Sequence, residues 1–181
     1  SHHVLEATIY THDKGGVTGD VQWIEAYNPI TRNGLRLREG TNSVINIPHS
    51  LGFEIAYQET KRPTGATDGN VFYGDKDRIL RLYSGVGSNA SALDNSWNNT
   101  APTDSVFTFR ANSVGVNQTG SVYLDRYFAN SDYRELINYR GTGAAGNVIS
   151  TSFMPRRVTI KRIDSTGDYS VTNNKALGRE L

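Results

Sequence analysis

The side chains that could do chemistry are few and scattered. Of the four histidines, His2, His3, His12 and His49, three fall within the first dozen residues, and the chain contains no cysteine and no His-Glu-x-x-His run. Disulfides, thiol catalysis and cysteine-ligated zinc are thereby excluded, and the histidine group lacks the spacing of a metal site. Carboxylates pair in GDKD (Asp75, Asp77) and IDSTGD (Asp164, Asp168). A hard cation such as calcium favours oxygen-rich tight turns, but neither stretch has the spacing of a calcium loop, and turn formation alone accounts for Asp and Gly there. GTGAAG (141–146) spells G-x-G-x-x-G, yet the NVISTSF that follows alternates as a strand rather than opening the helix a phosphate site needs. There is no Gly-x-Ser-x-Gly elbow. A Ser/His/Asp triad assembles in space, so counting residue types does not decide it. The chain reads as non-enzymatic, with no metal and no cofactor.

Binding chemistry has one candidate. Trp97 lies in the polar stretch 85–104 beside Asn95 and Asn98. An open indole flanked by amides can stack on a pyranose while the amides bond its hydroxyls, which would make the stretch a host-glycan contact. The same ring can instead plug a long loop onto the body of the protein. Asn89, Asn98 and Asn117 sit in N-x-[ST] triplets, which arise readily in an Asn-rich chain.

The elements that must carry these residues are strands. Leu5, Ala7 and Ile9 alternate with Glu6 and Thr8 near the start, and DVQWIEAYN alternates up to Pro29, which cannot donate to a ladder. Asn33-Gly34 reads as a two-residue hairpin turn. In LRLRE, Leu35 and Leu37 share one face, Arg36 and Arg38 the other. SVINIP, LGFEIAYQE, NVFYG, RILRLYSG, SVFTF, SVYLDRYF, NVISTSF and RRVTIKRID continue the pattern. SDYRELINY (131–139) is the one helix candidate, with Ser131 as its N-cap and Glu135 near capping-box spacing. These readings give about ten to twelve short strands with turn signals at sandwich spacing. We therefore expect an all-β fold, a single two-layer β-sandwich, Ig-like or jelly-roll-like, over residues 13–181. Residues 1–12 form its N-terminal strand or an arm.

The chain has 181 residues, 19 basic and 18 acidic side chains, and a formal charge of +1. That balance offers nothing to nucleic acid, and no apolar run is long enough to insert into a membrane. Eighteen glycines, ten tyrosines and abundant Asn, Thr and Ser suit an exported surface protein.

An alternating first strand, a turn-rich gap and then AYNPITRN (26–33) together resemble the colonization-factor class of chaperone–usher pilins. Tyr27, Pro29, Thr31 and Arg32 occupy that family's Tyr-x-Pro-x-Ser/Thr-basic positions, and TGDYS (166–170) is similar to a turn near its end. The polar VTNNKALGREL departs from the hydrophobic closing strand of those pilins. The resemblance implies a structural subunit of an extracellular filament or particle, polymerising with copies of itself. Its N-terminal strand would be donated, with Leu5, Ala7 and Ile9 filling a neighbour's groove. A monomeric glycan-binding module using 85–104 is the alternative.

Overall fold

A computed structural model describes residues 6–12, 21–64, 70–74, 96–164 and 169–173. The fold is an all-β, two-layer sandwich with ten strands, and no helix, among the described residues. They are β1 (Glu6–His12), β2 (Val21–Asn28), β3 (Asn33–Glu39), β4 (Ile45–Pro48), β5 (Tyr57–Lys61), β6 (Asn70–Phe72), β7 (Val106–Phe109), β8 (Val122–Phe128), β9 (Arg157–Lys161) and β10 (Tyr169–Asn173). The large sheet runs β1-β2-β3-β8-β5-β6, while β4 pairs with β7 and β9 with β10, all antiparallel.

The β4–β7 pair faces the large sheet. Ile45, Ile47, Phe107 and Phe109 pack with Leu51, Ile55, Trp97 and Val116 against Phe72, Tyr127 and the half-buried Tyr27. A smaller cluster of Val71, Tyr73, Tyr57, Leu136 and Ile163 covers the β6 end.

The alternation of β3 is as read, but its sense is the reverse of simple hydrophobic patterning. Arg36 and Arg38 are fully buried, and Leu35 and Leu37 are exposed. Register explains the inversion. Arg36 lies directly opposite Glu25 on one side and Asp125 on the other, and Asp125 in turn opposes Thr60. All four of these partners are buried. Arg36 Nη2 reaches Glu25 Oε1 at 3.0 Å, and Arg38 grips Asp125 through Nε (2.7 Å) and Nη2 (3.2 Å). The guanidinium of Arg38 also lies 3.9 Å from the ring centroid of Phe109, and that of Arg36 5.4 Å from that of Phe107. The charges of one layer thus rest on the aromatic faces of the other. Ring quadrupoles give partial compensation to the buried cations, whose Arg36 Nε and Nη1 and Arg38 Nη1 have no hydrogen-bond partner.

Several local readings change. Asn33 and Gly34 belong to β3, and the β2–β3 turn is Pro29–Arg32 instead. Asn28 Oδ1 accepts from the N–H groups of Ile30 (2.9 Å) and Thr31 (3.0 Å), and Arg32 takes the left-handed conformation at φ 50°. Gly34 is needed for a different reason: a Cβ there would lie 2.4 Å from the ring of Tyr127, its cross-strand neighbour. Segment 131–139 forms no helix. Ser131 and Arg134 close a tight bridged turn, and of this segment only Leu136 joins a buried cluster, so a helix would have had no apolar stripe to bury. NVISTSF forms no strand either. RILRLYSG lies outside the described residues.

Breaking the buried pair leaves one charge without compensation. Asp125→Ala should therefore cost about 3–5 kcal/mol in urea unfolding, with Arg38→Met/Asp125→Leu recovering much of it. Leu37→Ser on the same strand should change stability by only about 0.5 kcal/mol. Equal losses for Leu37→Ser and Asp125→Ala would mean that β3 faces the other way.

Candidate functional site

Most of the described ionisable side chains that sit inside the sandwich form one seam. At its centre Glu25 Oε1 accepts from Arg36 Nη2, the Tyr127 hydroxyl and the Ser50 N–H (3.3 Å), and Oε2 accepts from Ser50 Oγ at 2.7 Å. Arg36 Nη2 also donates to the Pro48 carbonyl at 2.6 Å. Further along, Asp125 Oδ1 accepts from Thr60 Oγ1 (2.8 Å), and Gln58 Nε2 donates to Thr60 Oγ1 (3.2 Å). Arg38 Nη2 donates to the Val116 carbonyl at 2.7 Å. Burial pushes the Tyr127 hydroxyl well above the usual phenol range, and the adjacent Glu25 carboxylate adds to this against the pull of Arg36. Tyr127 is consequently a fixed proton donor. These carboxylates have their oxygens occupied and no route to solvent, so the seam holds the layers together and offers no general acid or base to a substrate.

His49 lies beside the seam without entering a catalytic relay. Its Nε2 donates to the Thr103 carbonyl (3.2 Å), and its Nδ1 accepts from the Leu51 N–H (3.4 Å). Ser50 bonds Glu25 rather than His49, so no Ser–His nucleophile pair exists here. Burial holds the His49 pKa below its ordinary value, outweighing the Thr103 bond that favours the cation, and Arg36 adds to the lowering.

The structure separates the residues that the sequence suggested for binding. Trp97 is 1% exposed, with its ring centroid 6.0 Å from Phe72 and 5.8 Å from Phe109. It plugs its loop into the core and cannot stack on a sugar. Asn98 is half-buried in a left-handed turn conformation at φ 51°, and Asn95 lies outside the described residues. Asn117 is buried, its amide donating to the Ser43 and Arg110 carbonyls and its oxygen accepting from the Thr41 N–H, so this triplet serves packing. Asp164 is held by Arg162 Nε at 2.6 Å, while Asp75, Asp77 and Asp168 lie outside the described residues. Among the described residues no three His, Asp or Glu side chains gather as a metal site would.

The pilin-like positions form a structural corner. Tyr27 packs on the core, Pro29 is exposed, and Thr31 accepts at its carbonyl from Ser131 Oγ at 3.3 Å. Arg32 Nη1 donates to the Asn130 carbonyl (2.9 Å), with its guanidinium 3.8 Å from the Phe53 ring centroid. β1 pairs along its whole length with β2 of its own chain, Ala7 opposite Ala26 and Ile9 opposite Ile24, at the edge of the large sheet. Leu5 lies outside the described residues.

Part of what the large sheet shows to its surroundings is apolar. On the outer face of the large sheet Ile24, Leu37 and Leu124 form one cross-strand row, and Leu35 stands beside Ala26 in the next. Ile24, Leu35, Leu37 and Val122 are exposed, Ile24 to 52%. Among the described residues no helix is long and apolar enough to cross a membrane.

A β-sandwich locked by an internal charged seam, with an open leucine-rich face, is thus the class of protein defined. The chain belongs to the DUF7483 family, a domain of unknown function, whose model matches residues 31–180. The match begins inside the β2–β3 turn, so Arg36, Arg38 and Asp125 fall within it and Glu25 outside. No curated protein and no solved structure matches the chain.

Two measurements check these assignments. Trp97→Ala should lower unfolding stability by about 3–5 kcal/mol, the cost of emptying a large core site. A folded Trp97→Ala protein of unchanged stability would contradict its place in the core. The pKa of His49 is lower in the folded than in the unfolded chain, so the unfolded state takes up its proton first as pH falls. The stability His49 contributes is whole above its unfolded pKa of about 6.5 and is lost as pH drops toward the folded value. The urea midpoint should therefore fall from pH 7.5 to pH 5.5, and this step should shrink in His49→Gln.

Proposed function

We propose that this protein is a structural, non-catalytic subunit of an extracellular filament or particle, and that its work is to assemble with copies of itself. The open apolar face of the large sheet carries this reading. A sheet that turns arginines inward and leucines outward has placed on its surface the side chains that normally fill a core. The balanced charge of the chain leaves little long-range repulsion between copies. With Trp97 in the core, the glycan-binding alternative loses its stacking ring and no other observation favours it.

β1 is the strand we propose to be exchanged, with Leu5, Ala7 and Ile9 as its apolar positions. Within one chain β2 holds it, and at a sheet edge it can be traded for the same strand of a neighbour. Such an exchange replaces each contact by an identical one, so it gains nothing by itself. Association must then be driven by surface that only the assembled state covers.

Sedimentation velocity of the full chain should show species well above the 20.0 kDa of one copy. Removing residues 1–12 should yield a smaller species that retains its β-sheet spectrum. A full chain that stays monomeric at every concentration would overturn the proposal.

A further inference from the structure

The last residue of β4 and the three that follow it, 48–51, tie the small sheet to both of its neighbours. The Pro48 carbonyl accepts from Arg36 Nη2 of the large sheet at 2.6 Å. Just ahead of β7, the Ser105 carbonyl accepts from the His49 N–H at 2.8 Å, and the Thr103 carbonyl from His49 Nε2 at 3.2 Å. Ser50 donates twice to the Glu25 carboxylate, from its N–H (3.3 Å) and its Oγ (2.7 Å). Leu51 packs into the main core cluster, and its N–H donates to His49 Nδ1 at 3.4 Å. The opposite end of the β4–β7 pair is closed by the Asn117 amide, which bonds Thr41, Ser43 and Arg110. One end of the small sheet therefore hangs on a histidine, and the other on an amide that does not titrate.

These bonds fix the protonation state of His49 by geometry. A backbone N–H can only donate, so Nδ1 must keep its lone pair toward Leu51, and Nε2 carries the single ring proton toward a carbonyl. A second proton would enter at Nδ1 and face the Leu51 N–H, donor against donor. Charged groups stand near the ring on each side: Glu25 of β2, Arg36 of β3 and Asp104 beside Thr103. The ring centroids of Phe107 of β7 and Tyr127 of β8 lie 4.9 and 6.0 Å away, and the Tyr127 hydroxyl stays protonated. The two carboxylates favour a His49 cation, but Glu25 is already bonded to Arg36, Ser50 and Tyr127, and Arg36 opposes it. His49 is only 6% exposed, so the seated ring has little water to replace a lost acceptor.

We infer that segment 48–51 is an acid-released latch. Protonation of His49 breaks its bond to Leu51 and frees Ser50 from Glu25, so one end of the β4–β7 layer lifts from the large sheet while the rest of the sandwich stays folded. At neutral pH the latch is closed. It lies inside one copy and works whether or not copies assemble.

Amide hydrogen exchange of the full chain at pH 7.5 and pH 5.5, with each rate divided by its intrinsic rate at that pH, reads the latch directly. A released imidazole of ordinary pKa, about 6.5, is about nine-tenths protonated at pH 5.5. The protection of the Ser50 and Leu51 N–H groups should therefore fall about tenfold between the two conditions. At pH 5.5 their exchange should also be nearly independent of urea below the unfolding transition, because a local opening exposes little surface. In His49→Gln, whose side chain does not titrate, the tenfold fall should vanish. Exchange of Ser50 and Leu51 that rises with urea as steeply as global unfolding would show that they are released only when the whole sandwich opens, and would overturn the latch. No fall in the unmodified chain, or a tenfold fall that persists in His49→Gln, would overturn it too. If His49→Gln does not fold, the urea dependence in the unmodified chain still separates the latch from global opening.

Discussion

Arg36 and Arg38, placed between Glu25 and Asp125 in the middle of the sandwich, are the constraint on which the rest of the structure depends. Taking a guanidinium out of water costs several kcal/mol, and only close, well-aligned acceptors offset it. Here the offset comes from two directions. Within the large sheet the carboxylates are supplied by the neighbouring strands, and across the layer gap the rings of Phe107 and Phe109 receive the cations. A register slip of one residue in β3 would bury Leu35 and Leu37 and send both arginines to solvent, leaving Glu25 and Asp125 buried and unpaired. The seam therefore sets the register of β2, β3 and β8 more sharply than hydrophobic pairing does.

The same seam decides what the surface looks like. Because strand side chains alternate, turning Glu25, Arg36, Arg38 and Asp125 inward sets their apolar neighbours Ile24, Leu35, Leu37 and Leu124 on the outer face. Ile24, Leu35, Leu37 and Val122 are on the outside for this reason. Surface apolarity and core polarity are one fact viewed from two sides of a sheet.

The seam also engages the reactive side-chain types that it contains. Glu25, Asp125, Tyr127 and His49 would attract attention in any list of reactive side chains, but here each spends its hydrogen bonds on neighbouring strands and loops. Ser50 donates to Glu25, Thr60 to Asp125, and His49 to the Thr103 carbonyl. Reactive residue types were legible in the sequence. Their engagement was not, because the partners lie up to 102 positions apart, as Tyr127 does from Glu25.

Local pattern determined a good deal. Period-2 alternation and the turn residues between runs place most of the strands and the all-β class, since those signals act within a few residues. Where a competing interaction comes from far along the chain, local pattern misleads. Asn33-Gly34 looks like a hairpin turn, yet the turn forms at Pro29–Arg32, and the glycine is there to admit the Tyr127 ring. Ser131 looks like a helix cap, but only Leu136 of that segment finds a buried cluster. Trp97 in a polar loop is consistent with an open sugar platform until Phe72 and Phe109 close around it. NVISTSF has the alternation of a strand, and no strand among the described residues supplies it with a ladder. By itself the sequence determined which residues alternate. Which face of that alternation points inward depends on partners brought together only by folding, and the tertiary structure alone decided it.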